Sequence, residues 1–204
     1  MARKQKNLSV RDTFYIITNG RQTEKNYFEL VRCKKSIYNV KVEFHNSDPV
    51  GLVQYASTLV PNSNQVWCVF DIDNTYNEGT LIPALKLAKS SGVQIAFSNI
   101  SFEVWLLSHY GKVDKYMNND KVINEMNVLL SKLGISQPYD KSDKELLKKH
   151  FIPKLDDAVL NSKIVYQNRV KEHNALYHVN SLHCIWEWNS CTNIYQLIEA
   201  LQFI

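Results

Sequence analysis

In VFDIDNT, residues 69–75, an apolar run ends in two aspartates one residue apart. Two chemistries use such a pair. In one, the carboxylate of Asp71 attacks phosphorus and Asp73 moves the proton as general acid and base. In the other, both carboxylates hold a divalent cation that binds a phosphodiester and activates water. Carboxylates gathered without a cation repel each other, so Mg2+ or Mn2+ would make such a cluster tolerable. Glu24 in TEKNYF and Glu103 in SFEVW are further acids to weigh beside this pair. Each also has an ordinary reading, as a first-turn acid that favours a helix N-terminus. No GxxxxGK[ST] occurs, so the chain has no P-loop of its own.

The elements that must position these residues are legible around them. TFYIIT, residues 13–18, reads as a buried strand, NGRQ as a turn, and Thr23 heads a helix over TEKNYFELVRCKK. NVKVEFH, 39–45, alternates like a strand. SDPVGLVQYASTLV reads as a helix capped by Ser47 or Asp48, with Pro49 in its first turn. QVWCVFD, 65–71, is a continuous apolar run, as in a central parallel strand. A helix over 79–91 ends at Gly92, and VQIAFSN, 93–99, is a further strand. This β-α-β-α-β-α-β order predicts a parallel sheet with right-handed crossovers. Active groups in such sheets gather beyond the carboxyl ends of the strands. Asn19, Asp71, Asp73, Ser98 and Asn99 all fall there.

Beyond residue 100 the pattern turns helical. SFEVWLLSHY reads as a short helix capped by Ser101, with Trp105 in the core. Further helices are expected over 119–133 and over a Lys-rich stretch, 141–174, interrupted near Pro153. SLHCIWEW reads as a strand or loop, and SCTNIYQLIEALQFI as a last helix with Thr192 as its cap. The expected organisation is an α/β core over residues 1–110 and a helical extension over 111–204 packed on it, as one compact unit.

An apolar fraction of 45% and a charged fraction of 22% in 204 residues are those of an ordinary globular protein. No apolar run approaches the roughly 18 residues of a spanning helix, so no membrane segment is expected. MARKQKNLSVRDTF is basic but lacks the apolar stretch of a secretory signal, which points to the cytoplasm. Cys33, Cys68, Cys184 and Cys191 form no CxxC pair and are expected as free thiols. Cys184 and Cys191, with His183, have the wrong spacing for a zinc finger. His109 and the other histidines have no nucleophile at a recognisable spacing. A net charge of +4 permits nucleic acid as a partner without requiring it. Arg3, Lys4, Lys6 and Arg11 form one basic group and Lys141–Lys154 another. Arg21, Lys25, Lys141, Lys144, Lys148 and Lys149 are candidates for phosphate contacts, against a plainer reading as solvated surface.

VFDIDNT together with IAFSN, 95–99, resembles the first two motifs of the haloacid dehalogenase superfamily. That resemblance implies a phosphatase with Asp71 as nucleophile, Asp73 as acid and base, Ser98 as phosphate ligand and Lys154 of KLDD completing the site. Against it, two strands precede VFDIDNT, and IPKLDDAVLN reads as helix.

A broader resemblance is to the RloB family of Toprim-like proteins. It rests on GRQTEKNYF at 20–28, VFDIDN at 69–74, SNISFEVWLLSHY at 98–110 and NSCTNIYQLIEAL at 189–201, in that order, with YDK at 139–141 as a weaker match. The resemblance implies a Toprim-like parallel sheet flanked by helices, and Mg2+ or Mn2+ held by Glu24, Asp71 and Asp73, with Glu103 as a further catalytic acid. It implies a nuclease effector of prokaryotic anti-phage defence, toxin-like or abortive, that cuts DNA or RNA. An AAA/ABC-type ATPase is its implied partner, and a homo-oligomer is compatible with it. The chain departs from the Toprim pattern at one point. A Glu usually precedes the glycine after the first strand, and Asn19 stands here; Glu24, one helical turn further, is the acid that could compensate, from a different place. That departure keeps open a degenerate Toprim subunit that binds or senses within an ATPase complex.

Overall fold

The computed structural model describes residues 12–34, 36–177 and 182–203. The basic residues Arg3, Lys4, Lys6 and Arg11 lie outside the described residues, as does the side chain of His183. The elements are β1 (Thr13–Thr18), α1 (Thr23–Val31), β2 (Asn39–Phe44), α2 (Pro49–Ser57), β3 (Gln65–Asp71), α3 (Leu81–Ser91), β4 (Gln94–Asn99), α4 (Glu103–Ser108) and α5 (Asn119–Lys132). They continue with α6 (Lys144–Leu146), a π turn at Leu147–Phe151, a 3-10 turn at Ile152–Lys154, α7 (Leu155–Tyr177), a 3-10 segment at Leu182–Glu187, β5 (Cys191–Thr192) and α8 (Ile194–Ala200).

Local chemistry explains several boundaries. Asp48 caps α2 by accepting from the Gly51 N–H at 2.7 Å, and Pro49 takes the first helical position, where no N–H is needed. Gly92 ends α3 in the left-handed conformation, φ +78°. Pro153, which has no N–H to donate, sits in the π and 3-10 turns that separate α6 from α7.

The strands form one sheet in the order β2-β1-β3-β4-β5. The first four are parallel, as expected, and β5 runs antiparallel to β4. The chain steps one way from β1 to β2 and the other way from β3 to β4. The strand order therefore reverses between β1 and β3, which opens a crevice beyond their carboxyl ends. Right-handed crossovers put α1 on one face and α2 with α3 on the other, and α2 does pack on α3. On the α1 face, Tyr27 meets the rings of Phe102, Trp105 and His109 at 5.5, 6.2 and 5.7 Å. Trp105 is fully buried there, as expected. One apolar cluster runs from Phe14 and Phe70 in the sheet to Phe151, Leu155 and Leu197 beyond residue 111.

His109 belongs to this core. Its Nδ1 lies 3.1 Å from the carbonyls of Trp105 and Leu106, which can only accept, so Nδ1 carries the proton and Nε2 accepts from the Tyr27 hydroxyl at 2.9 Å. Burial pushes the imidazole down to about 4, so it is neutral at physiological pH.

Three expectations are corrected. SLHCIWEW yields a 3-10 segment instead of a strand or loop. Ser101 does not cap α4; Phe102 holds that position. Thr192 lies in β5, paired with β4, and its hydroxyl accepts from the Ile194 N–H at 3.3 Å, but the N-cap position of the last helix is Asn193, whose side chain reaches across the sheet edge. The Asn193 amide accepts from the Phe97 N–H at 2.6 Å and donates to the Ile95 carbonyl at 2.9 Å. The edge of β4 is thus satisfied by side chains where ladder pairing would need a longer strand. This five-stranded, mostly parallel sheet flanked by helices, with a C-terminal helix, is consistent with the Toprim-like expectation. Among the described residues no helix is long and apolar enough to cross a membrane. The four cysteines are free, and burial pushes the Cys68 and Cys191 thiols up to about 12.

Candidate active site

Asp71 is the last residue of β3, opposite Ser98 of β4. The ladder continues one step further, where the Ile72 N–H donates to the Ser98 carbonyl at 2.9 Å and Ile72 is buried. Asp71 is therefore fixed, half-buried, at the mouth of the crevice. Asp73 follows on an exposed turn with φ +29°; its N–H donates to the Ile100 carbonyl at 3.3 Å, and its carboxylate accepts from Asn119 Nδ2 at 3.5 Å.

Glu24 comes from the first turn of α1 and is 9% exposed. Its carboxyl group lies against Gly20. A Cβ on Gly20 would stand 1.9 Å from the carboxyl carbon and from Oε2, and 2.1 Å from Oε1. Gly20 is what admits this carboxylate to the end of β1, beside Asn19. Glu103 comes from the first turn of α4, on the same face as α1, and is 1% exposed. Its Oε1 accepts from the Tyr139 hydroxyl and from Lys141 Nζ, both at 3.1 Å. Among the described residues its Oε2 is buried without a hydrogen-bond partner. The Lys141 carbonyl accepts from Thr23 Oγ1 at 3.0 Å, which ties the α5–α6 loop to the start of α1.

The three acids feel one another. Burial pushes the Asp71 carboxyl well above the usual carboxylate range, and Glu24 and Glu103 push it further, while Lys141 opposes and Asp73 adds least. Burial also raises Glu24; its own backbone N–H opposes this, Glu103 adds to it and Lys141 offsets part. Burial works against the charge of Lys141, but Glu103, Asp71 and Glu24 outweigh it and hold the ammonium above its ordinary value.

These parts occupy four separate stretches of the chain, at 20–24, 69–74, 98–103 and 139–141. The family model of RloB-like proteins matches residues 14–201, which contain all of them. The chain belongs to the RloB-like family. No curated protein and no solved structure matches it.

In this RloB-like chain the crevice joins three of the four acids singled out from the sequence, Glu24, Asp71 and Glu103. Asp73 lies beside them on the exposed turn. Tyr139 was missed, because a tyrosine in a loop carries no periodic signal; only the weak YDK match touched it. Lys141 was expected on a phosphate-binding surface, and its ammonium is instead engaged with Glu103. Three other basic candidates also have acidic neighbours. Lys25 lies 3.9 Å and Lys144 2.9 Å from Glu29, and Lys148 lies 4.0 Å from Glu145. Arg21 and Lys149 are exposed. A groove of about 530 Å3 beside α1 takes in Arg32, Lys34, Lys144 and Lys148 along with Glu29 and Glu145.

The phosphatase arrangement is not assembled. The Ser98 hydroxyl donates to Thr192 Oγ1 at 3.0 Å. Lys154 pairs with Asp157 at 3.2 Å and lies over the Tyr110 ring. Asp71, Ser98 and Lys154 therefore do not converge on one phosphate.

For a divalent cation the donor set is of the right kind, hard carboxylate oxygens, and the orphaned Glu103 Oε2 is an acceptor with nothing to accept from. Among the described residues, no three His, Cys, Asp or Glu side chains are drawn together closely enough to hold a metal as they stand. The acids are neighbours, and one of them is already engaged by a lysine.

Proposed function

We propose that this RloB-like chain is a Toprim-type, Mg2+- or Mn2+-dependent nuclease that cuts phosphodiester bonds in DNA or RNA. It serves as a toxin-like effector of prokaryotic anti-phage defence with an AAA/ABC-type ATPase as partner. The observation that carries the chemical part is the carboxylate crevice at the point of strand reversal, with Glu24 laid over Gly20 beside Asp71. The biological setting and the ATPase rest on the family resemblance and on a chain that has no P-loop.

Asp71, with Glu24 and Glu103, would hold the cation, and Asp73 is close enough along the chain to join on the turn. When bound, the cation supplies Lewis acidity toward the phosphodiester and lowers the pKa of a water. The chain supplies the rest. β3 fixes Asp71 through its ladder to β4. Gly20 lets Glu24 close over the end of β1. Ile72, next to Asp71, and Phe102, next to Glu103, are buried, and such apolar neighbours strengthen electrostatic interactions by excluding water. Asn19 supplies no charge where the Toprim pattern has Glu, and Glu24 reaches the same strand end from one helical turn away.

The test is cleavage of single- and double-stranded DNA and RNA by purified protein, with Mg2+, with Mn2+ and with chelator, alongside Asp71→Asn. Metal-dependent cleavage lost in Asp71→Asn supports the reading. A second reading, a degenerate Toprim subunit that binds or senses without cutting, is favoured by Asn19 and by the lysine seated on Glu103. It predicts nucleic-acid or ATPase binding with no cleavage under any of these conditions.

A further inference from the structure

Among the described residues, the cation that meets the carboxylates of the crevice is an amine of the chain itself. Lys141 reaches Glu103 from the loop between α5 and α6, and that loop is pinned on both sides. Thr23 holds the Lys141 carbonyl at 3.0 Å, one residue from Glu24. Two residues before Lys141, the Tyr139 N–H donates to Asn127 on α5 at 2.7 Å, and the Tyr139 hydroxyl shares Glu103 Oε1 with the ammonium. The loop is built to deliver a positive charge to one oxygen.

The pair is lopsided. The Glu103 side chain is 1% exposed and the Lys141 side chain 54%. A buried ion pair that serves stability needs its remaining lone pairs satisfied, yet Glu103 Oε2 has no partner among the described residues. Among the described residues one monovalent charge, Lys141, faces Glu24, Asp71 and Glu103 together. The cluster is under-neutralised while its counter-ion sits half in water, where the ammonium is strongly hydrated and its flexible four-carbon stem can swing outward.

We propose that Lys141 is an exchangeable internal counter-ion: its ammonium holds the cation position at Glu103, and a divalent metal enters the crevice by displacing it into solvent. Lys141 is thus a positioning residue that sets the metal affinity of the site. This rests on the metal-dependent reading above. It also explains why the acids are neighbours without converging on one metal position, since Glu103 is engaged by the amine. A divalent cation brings twice the charge and accepts oxygen donors that an ammonium leaves unused.

The experiment is calorimetric titration of Mg2+ and Mn2+ into the full chain, paired with thermal melts at zero and saturating metal. The variants are Lys141→Met, Lys141→Gln, Lys141→Arg and Lys163→Met. Lys141→Gln keeps a hydrogen-bond donor for Glu103 without the charge. Lys163 pairs with Glu199 between α7 and α8 and serves as control. Loss of the competing charge in Lys141→Met and Lys141→Gln should tighten metal binding about tenfold. Both should lower the melting temperature without metal and regain it with metal. Lys163→Met should bind metal as the unaltered protein does, and Lys141→Arg, which keeps the charge and is more weakly hydrated, should bind it no more tightly than the unaltered protein. Equal or weaker metal binding by both neutral variants overturns the inference while leaving the metal-dependent reading intact. So does a loss of melting temperature of the same size with and without metal. Absence of metal binding in every protein overturns that reading and the inference with it.

Discussion

Gly20→Ala separates the carboxylate placement from the stability of the fold, because the two should move in opposite directions. The added Cβ would stand 1.9 Å from the Glu24 carboxyl carbon, where ordinary contact begins at 3.4 Å. The carboxylate must therefore retreat by about 1.5 Å, the difference between those distances. It is the far end of a flexible side chain, so the retreat costs little. Gly20 is not among the glycines with positive φ, so Ala fits its backbone. Fewer unfolded conformations then stabilise the variant by about 0.4–1 kcal/mol. Release of a buried, raised-pKa acid toward water adds to the same side. In a chain of this size the gain corresponds to roughly 2–4 °C per kcal/mol in melting temperature. Metal binding should move the other way. Withdrawal of one charged oxygen donor should weaken Mg2+ about tenfold, or about 1.4 kcal/mol. Melts without metal and calorimetry with Mg2+ read the two effects separately. Unchanged Mg2+ affinity at a normal melting temperature would show that the Glu24 carboxylate is no part of the site. A melting temperature that drops by several degrees would sink the steric argument instead.

Asp71→Asn should abolish cleavage and raise the melting temperature of the metal-free protein, since it removes a half-buried acid held against Glu24 and Glu103; a fully active variant refutes both metal and nucleophile roles for Asp71. Asn19→Glu should change Mg2+ affinity less than about threefold, or about 0.7 kcal/mol, because Glu24 already lies at that strand end, and a large gain by calorimetry would show that the position was vacant. His109 should make stability pH-dependent: the folded state resists protonation down to about 4 while the unfolded chain takes up a proton near 6.5. Stability should thus be lost as pH falls from 6.5 toward 4, by about 3 kcal/mol. Raised carboxyls act in the opposite sense, losing stability as pH rises through their folded values, so denaturant titrations of Asp71→Asn should expose the His109 slope more clearly than those of the unaltered protein.

The parallel core was legible because its elements are long enough to write their period into the sequence. QVWCVFD announces a central strand by unbroken apolarity, and the aspartates at its end mark where burial stops. The convergence of Glu24 with Glu103 could not be read in that way. Each sits in a helical first turn, where an acid is also favoured for the dipole alone, and only the shared face of α1 and α4 brings them together. Lys141 was harder still. Thr23 and Lys141 are 118 positions apart, and a lysine among other lysines reads as surface. β5 has two residues, too few for alternation to register, and Thr192 there has the same chemistry as a helix cap. The dehalogenase likeness failed for a related reason: its letters occur in order, but Lys154 faces Asp157 on its own helix turn.

The side-chain closure of β4 bears on the order in which a ribosome makes this protein. Ser98, the register neighbour of Asp71, donates to Thr192, and Asn99 donates to the carbonyls of Ile185 and Trp186 at 2.8 and 3.0 Å. Asn193 completes the same edge. All of the acids are synthesised well before these partners. A nascent chain that stops short of residue 185 holds every carboxylate of the crevice yet leaves β4 with open backbone groups, a template for sticking to other chains. For the effector proposed above, translation errors would then yield aggregates and proteolytic substrates instead of unrestrained activity.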